Sequence, residues 1–123
     1  MNKLSIISIS LFICLFSTVA SAQSNTDEEV QHLLQYIGTA GCTFTRNGTD
    51  HTPEKAQQHI SRKYNYVKNK ASSTEQVIKY AATESSITGK PYTIKCPGHD
   101  SVPSAQWLTE ELINYRSQYS SQD

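Results

Sequence analysis

The chain has 123 residues, a length that suits a single domain able to bury a modest hydrophobic core. Eleven lysines and arginines stand against eleven aspartates and glutamates. This balance gives no electrostatic reason to expect nucleic acid or an anionic membrane as a partner, although it is compatible with local basic patches.

Residues 1–22 have the pattern of a cleaved signal peptide. Lys3 precedes an apolar run over residues 4–19, and Ala20-Ser21-Ala22 is an A-x-A cleavage site. The apolar run is near the lower length limit of a membrane span, and acidic residues rather than a basic cluster follow it. Both features argue against a membrane anchor. We therefore expect export, cleavage after Ala22, a single mature domain over residues 23–123, and no stable membrane anchor after cleavage.

Two cysteines, Cys42 and Cys96, remain after this cleavage. In an exported protein a pair of cysteines is typical of one structural disulfide. A loop of this length gives about 4 kcal/mol of stabilisation in the chain-entropy model. A redox or metal-binding pair is the functional alternative, but the sequence has no C-x-x-C motif to favour it.

The first predicted helix covers residues 27–37. Thr26 and Glu29 have the spacing of a capping box before it, and Gly38 is placed to end it. Its apolar residues recur at helical spacing and are Val30, Leu33, Leu34 and Ile37.

Two segments have the alternation of short strands, residues 42–46 and residues 92–96. The first ends at Asn47-Gly48, a dipeptide typical of tight turns. A turn-rich stretch over residues 85–91 leads into the second. The sequence leaves open whether these two strands pair in parallel or antiparallel.

The second predicted helix covers residues 53–70. Thr52 suits its N-cap, and Pro53 suits the first helical position. His59 and Lys63 are four residues apart beside its apolar stripe, so they are predicted to share one edge of the buried face.

Two further helices are predicted towards the end of the chain. Ser73 and Gln76 form another capping box before a short third helix, and Ser104 is placed to cap the last helix. The Ser- and Gln-rich tail is expected to fray from about residue 117. The resulting fold class is α+β, with about four helices packed around a small two- or three-stranded sheet.

Several motifs in this order resemble the YfeK-like family of small exported bacterial proteins of unknown function. The resemblance spans about residues 27–115. It implies a location in the periplasm of a Gram-negative bacterium, and it implies no activity and no catalytic residues. The most specific stretches are Arg46-Asn47-Gly48 and Ser85-Ser86-Ile87-Thr88-Gly89-Lys90-Pro91-Tyr92.

A cluster of polar residues is the candidate ligand-binding site. If the two strands pair under the second helix, two or three cations and backbone N–H groups would line one shallow pocket, which suits a carboxylate or phosphate. Arg46 pairing with Glu54 across the turn is the structural alternative for one of these cations. The candidate ligand-binding residues are Arg46, His59, Lys63, Thr88 and Gly89.

An alternative interpretation is a small hydrolase. Ser85 or Ser86 with His51 or His59 would form a nucleophile–base pair, and Glu54 would orient the imidazole. The sequence has no G-x-S-x-G nucleophile motif. The four histidines also lack metal-ligand spacing, so we predict neither a metal nor a cofactor.

A third interpretation is a protein–protein interaction module. The chain has seven tyrosines, and Tyr66 lies off the apolar stripe of the second helix, where it would be exposed. Size and missing catalytic motifs favour non-catalytic binding or a cell-envelope accessory role. The expected partner is a small anionic ligand or an envelope protein.

Overall fold

The computed structural model describes residues 13–15 and 26–120. Within them the chain forms four helices and one four-stranded antiparallel sheet, which confirms the α+β prediction, although the sheet has four strands rather than the predicted two or three. None of the described helices is long and apolar enough to cross a bilayer. Except for residues 13–15, the predicted signal peptide lies outside the described residues. The elements are α1 (Thr26–Thr39), β1 (Thr43–Arg46), β2 (Thr49–His51), α2 (Pro53–Val67), α3 (Thr74–Ala81), β3 (Thr93–Lys95), β4 (Val102–Pro103) and α4 (Ser104–Ser120).

The sheet has the order β2-β1-β3-β4, so the two predicted strands are its central pair. Phe44 on β1 lies opposite His51 on β2 and Ile94 on β3. The β1–β2 hairpin turns at Asn47 and Gly48, whose φ angles are both positive, at 50° and 75°. A two-residue turn of this kind matches the twist of antiparallel strands.

A disulfide joins Cys42 to Cys96, as predicted. Cys42 directly precedes β1 and Cys96 directly follows β3, next to the register pair Thr43 and Lys95. The covalent bond therefore continues the β1–β3 ladder by one position.

The helix ends differ from the predicted ones in three places. α1 continues through Gly38 to Thr39, so the prediction that Gly38 ends the helix is wrong. A side chain on Gly38 would collide with the Gln57 amide of α2, so this glycine permits close packing between the two helices. α2 ends at Val67, before residues 68–70, and α4 continues past residue 117 to Ser120.

Of the four predicted N-caps, Thr52 and Ser73 form and Ser104 does not. The Thr52 hydroxyl accepts a hydrogen bond from the first turn of α2 at 3.3 Å, and Ser73 accepts one from Gln76 N at 3.2 Å. The Gln76 side chain accepts in return from Ser72 N, at 2.8 Å. Ser104 is not a cap, because its Oγ is buried and has no hydrogen-bond partner among the described residues. Thr26 is the first residue of α1, and its predicted capping partner Glu29 accepts from Thr74 and Arg116 instead.

The hydrophobic core lies between the helices and the sheet. α2 contacts β1, and α4 contacts β3 and β4, while α1 and α3 pack against the other helices. Apolar residues of the central strands and of all four helices are buried together. Among the core residues are Val30, Leu33, Ile37, Phe44, Ala56, Ile60, Tyr64, Val77, Ala81, Tyr92, Ile94, Leu108 and Leu112.

A buried carboxylate joins three helices. Glu29 on α1 is 2% exposed and accepts two hydrogen bonds from Arg116 on α4, at 2.6 and 2.9 Å. It also accepts from the Thr74 hydroxyl on α3 at 2.6 Å. Arg116 pairs with Glu75 as well, and this hydrogen bond lowers the pKa of the Glu75 carboxyl.

Candidate anion-binding groove

A half-open groove of about 290 Å³ lies between α2 and the β1–β2 hairpin. Residues from three elements contribute to its walls, which gives it a defined shape built on a helix and two strands. The described lining residues are Phe44 and Arg46 from β1, His51 from β2, and Lys55, Ala56, Gln58, His59 and Arg62 from α2.

The spacing of the α2 residues explains why they meet in one groove. Lys55, His59 and Arg62 follow each other at steps of four and three, so their side chains lie along one face of the helix. Ala56 is 1% exposed, and its small side chain lets the β1 strand approach this part of α2 closely. Phe44, equally buried, supplies an apolar surface.

The groove has an excess of positive charge. Arg46, Lys55 and Arg62 line it, and its described lining residues include no carboxylate. Two acidic residues are near in sequence. Asp50 accepts a hydrogen bond from Thr45 at 2.7 Å, and the exposed Glu54 is not among the lining residues.

Arg46 does not pair with Glu54 within the described part of the chain, and the predicted ion pair is wrong. Its Nη1 lies 3.2 Å from Nδ1 and 3.3 Å from Nε2 of His59. In the imidazole ring of His59, Cε1 lies between Nδ1 and Nε2. An atom in the plane of the ring and this close to both nitrogens would overlap with the ring atoms. The guanidinium therefore sits over the face of the imidazole.

His59 is neutral at pH 7. Its pKa is lowered to about 4, first because the ring is partly buried and then because Arg46, Lys63, Arg62 and His51 are close by. A neutral His59 imidazole can lie against the Arg46 guanidinium without charge repulsion. The positive charge of the groove thus comes from its arginines and lysine rather than from this histidine.

Behind His59, a buried tyrosine connects the groove to the rest of the sheet. The Tyr92 hydroxyl lies 3.2 Å from His59 Nε2 and accepts a hydrogen bond from Lys63 Nζ at 3.0 Å. Lys63 also donates to the Glu84 carbonyl, again at 3.0 Å. Because an ammonium group can only donate, the Tyr92 proton is free to point at the His59 nitrogen.

The turn at residues 85–89 does not contribute to this groove. Thr88 N donates to Ser85 Oγ at 3.3 Å, and Gly89 N donates to Ser85 O at 2.9 Å. The Thr88 hydroxyl donates to Asn47 Oδ1 at 2.6 Å. Both predicted backbone donors are thus already engaged within the protein.

The structure therefore brings together part of the predicted site. Arg46 and His59 line the groove, whereas Lys63 lies on the Tyr92 side of His59 and does not line it. Sequence reasoning missed Lys55 and Arg62, although they are four residues before and three residues after His59. Extending the same helix-face argument by one turn in each direction would have found both.

The residues predicted for a hydrolase do not form a nucleophile–base pair. Ser85 is 5% exposed, and its Oγ accepts from Asn47 and from the Ile87 and Thr88 backbone. His59 contacts Arg46 and Tyr92 instead, and no Ser–His hydrogen bond forms among the described residues.

The described residues contain no group of three histidine, cysteine, aspartate or glutamate side chains able to hold a metal ion. In the groove, only His51 and His59 are of these types. The donor set thus suits an anion better than a cation.

Comparison with known proteins identifies the family. The family of unknown function DUF5329 matches residues 24–116, which is most of the chain. The chain belongs to this family. The resemblance noted in the sequence is confirmed by a second match, to the uncharacterized protein YfeK of Salmonella typhimurium strain LT2, which is 46% identical over 50 residues.

The match to YfeK covers 41% of this DUF5329 protein and 42% of YfeK, so it spans less than half of that relative. No solved structure matches. Neither the family description nor the name of the relative gives an activity, so the function proposed for this DUF5329 member rests on its own groove.

Proposed function

We propose that this DUF5329 protein is a non-catalytic binding domain of the periplasm that holds an anionic ligand in the groove between α2 and the β1–β2 hairpin. The observation that carries the proposal is charge: three cations line the groove without a described carboxylate to neutralise them. Exposed lysines and arginines commonly have acidic neighbours, so an unbalanced cluster in a concave site favours an anion as its counterpart.

The groove chemistry supports a carboxylate or a phosphate. An arginine presents parallel N–H donors that match two oxygens of such a group, while a lysine supplies a compact charge. Gln58 adds an amide and His51 an imidazole, and the buried Phe44 and Ala56 form an apolar wall behind these polar groups. A few placed polar groups over an apolar surface are typical of small-molecule sites.

Export supports a cell-envelope accessory role. The signal-peptide pattern of residues 1–22 predicts passage out of the cytoplasm, and the Cys42–Cys96 disulfide suits an oxidising compartment. The ligand is therefore expected among anions of the periplasm or of its bounding membranes.

The test is a titration of the purified, oxidised protein with pyrophosphate and with citrate, followed by amide chemical shifts. We expect saturable shifts at Lys55, His59 and Arg62. Replacing Arg62 by Gln should weaken binding about tenfold, as expected when one charged contact is lost. Lys79→Gln, at an exposed position of α3, is the matched control.

Shifts that do not saturate, or that appear equally around Lys79, would contradict a built anion site. An active-site titration with a fluorophosphonate would separate the hydrolase alternative, because labelling of Ser85 or Ser86 is incompatible with a non-catalytic domain.

A further inference from the structure

We infer that the groove holds an extended ligand with anionic groups at two separated points, one near Lys55 and the other near Arg62. This inference rests on the proposed anion-binding function and specifies which class of anion the site takes.

Two of the cations that line the groove, Lys55 and Arg62, are well separated along α2. Lys55 and Arg62 are seven residues apart on α2, which places their Cα atoms about 10 Å apart along the helix axis. Seven residues are almost two full turns, so both side chains project from nearly the same face of the helix. A single carboxylate or phosphate contacts both cations only when both side chains extend towards the midpoint between them, whereas a ligand with two anionic groups meets each cation near its own helix position.

Both of these cations are free to bind a ligand. Lys55 and Arg62 are exposed, and neither makes a side-chain hydrogen bond or ion pair within the described residues. Arg116 differs from them, because its guanidinium is held by Glu29 and Glu75.

A third lining cation, Arg46, contacts the part of α2 that lies between Lys55 and Arg62. His59 lies between Lys55 and Arg62 in sequence, and the Arg46 guanidinium covers its ring. Nε and Nη2 of Arg46 make no hydrogen bond with the described residues, so both can contact the centre of a ligand. The positive charge thus extends along the groove from Lys55 to Arg62.

The size of the groove agrees with an extended ligand. A volume of about 290 Å³ corresponds to roughly ten water molecules at their share of liquid volume. A single carboxylate or phosphate would leave most of this space to water.

The experiment measures affinity against ligand length. Acetate and the straight-chain dicarboxylates from succinate to azelate are titrated into the oxidised protein at constant ionic strength. We expect affinity to rise with chain length, by about tenfold or more from succinate to the best dicarboxylate, as a second charged contact forms.

Variants connect the length dependence to the two cations. Lys55→Gln and Arg62→Gln should each reduce the affinity of the best dicarboxylate about tenfold. Acetate needs one cation, so its affinity should fall in at most one of the two variants. Lys79→Gln should leave every affinity unchanged, and equal urea midpoints establish that the variants are folded.

The outcomes separate this inference from the proposed function. Equal affinity for acetate and for all dicarboxylates overturns the two-point inference but leaves an anion site in place. A length dependence that neither variant changes also overturns it. If none of the anions binds measurably, both the two-point inference and the proposed anion-binding function are overturned.

Vesicles identify the source of the anionic groups. Cardiolipin carries two phosphates joined by a glycerol, so sedimentation with cardiolipin vesicles, absent with phosphatidylcholine vesicles and abolished by both variants, supports the inference with a lipid headgroup as ligand. Dicarboxylate binding without sedimentation supports it with a free anion as ligand.

Discussion

The guanidinium of Arg46 covers the imidazole of His59, with Nη1 3.2 Å from Nδ1 and 3.3 Å from Nε2. The contact requires a neutral ring, because a protonated imidazole would place two positive charges against each other. Lys63 and Arg62 on α2 and His51 on β2 add to the repulsion, and the Tyr92 hydroxyl faces Nε2 from behind.

This relationship predicts that the protein loses stability in mild acid. The pKa of His59 is about 4 in the folded protein and about 6.5 in the unfolded chain. Between these values the unfolded state binds the extra proton, so the free energy of unfolding falls as pH falls from about 6.5 to about 4. Urea unfolding of the wild type and of His59→Gln, measured across this range, checks the prediction.

His59→Gln should show a smaller loss of stability across this pH range than the wild type. His99→Gln, in the exposed segment before β4, is the control and should keep the wild-type pH dependence. Parallel curves for the wild type and His59→Gln would contradict a neutral His59 in the folded protein.

Asn47 has a backbone role and a side-chain role that two substitutions can separate. Its φ of 50° disfavours residues with a Cβ, and its amide joins the hairpin to Ser85 and Thr88. Asn47→Gly removes the hydrogen bonds but suits the backbone. We expect Asn47→Ala to be less stable than Asn47→Gly by about 1 kcal/mol, because alanine adds left-handed strain.

Thr88→Val is the matched variant for the side-chain role, because it removes the hydrogen bond to Asn47, together with the longer one that the Thr88 hydroxyl accepts from Lys90 N, without changing the hairpin backbone. Loss of one such bond should cost about 1 kcal/mol in urea unfolding. For the backbone role, equal stability of Asn47→Ala and Asn47→Gly would show that the positive φ of Asn47 is not maintained in solution.

The Glu29–Arg116 pair should be a large contributor to stability. Arg116→Ala leaves the buried Glu29 carboxylate without its cation, and we expect a loss of about 3 kcal/mol in urea unfolding. This is the low end of the range for buried pairs, because the Arg116 side chain is 40% exposed.

A double variant tests the cause of this loss. Glu29→Leu combined with Arg116→Leu should be less destabilised than Arg116→Ala alone, since no unpaired charge stays buried. Glu28→Gln, at an exposed position of the same helix, should stay within about 0.5 kcal/mol of the wild type. A similarly small effect of Arg116→Ala would contradict the role of the pair.

The helices could be predicted from the sequence because each one repeats its apolar residues over several turns. The predicted α2 differs from the observed helix only at its end. The prediction continued past Val67 to residue 70, and residues 68–70 are all exposed. β2 and β4 were missed because Thr49-Asp50-His51 and Val102-Pro103 do not alternate apolar and polar residues. Their positions depend on pairing with β1 and β3, which is tertiary information.

The site could be predicted only in part, for a similar reason. Arg46 and His59 were found from residue type and helix spacing, and both line the groove. The role of Tyr92 depends on the β1–β3 pairing, which brings its hydroxyl to His59 and Lys63. Residue type alone gave no reason to separate this tyrosine from the six others.

The disulfide has a topological consequence for the groove. The segment between Cys42 and Cys96 contains β1, β2, α2, α3 and β3, and with them every described residue that lines the groove. α1 and α4 lie outside this covalent ring. A single peptide-bond cleavage anywhere inside the ring therefore leaves one connected molecule until its cystine is reduced, whereas cleavage in α1 or α4 releases a separate fragment.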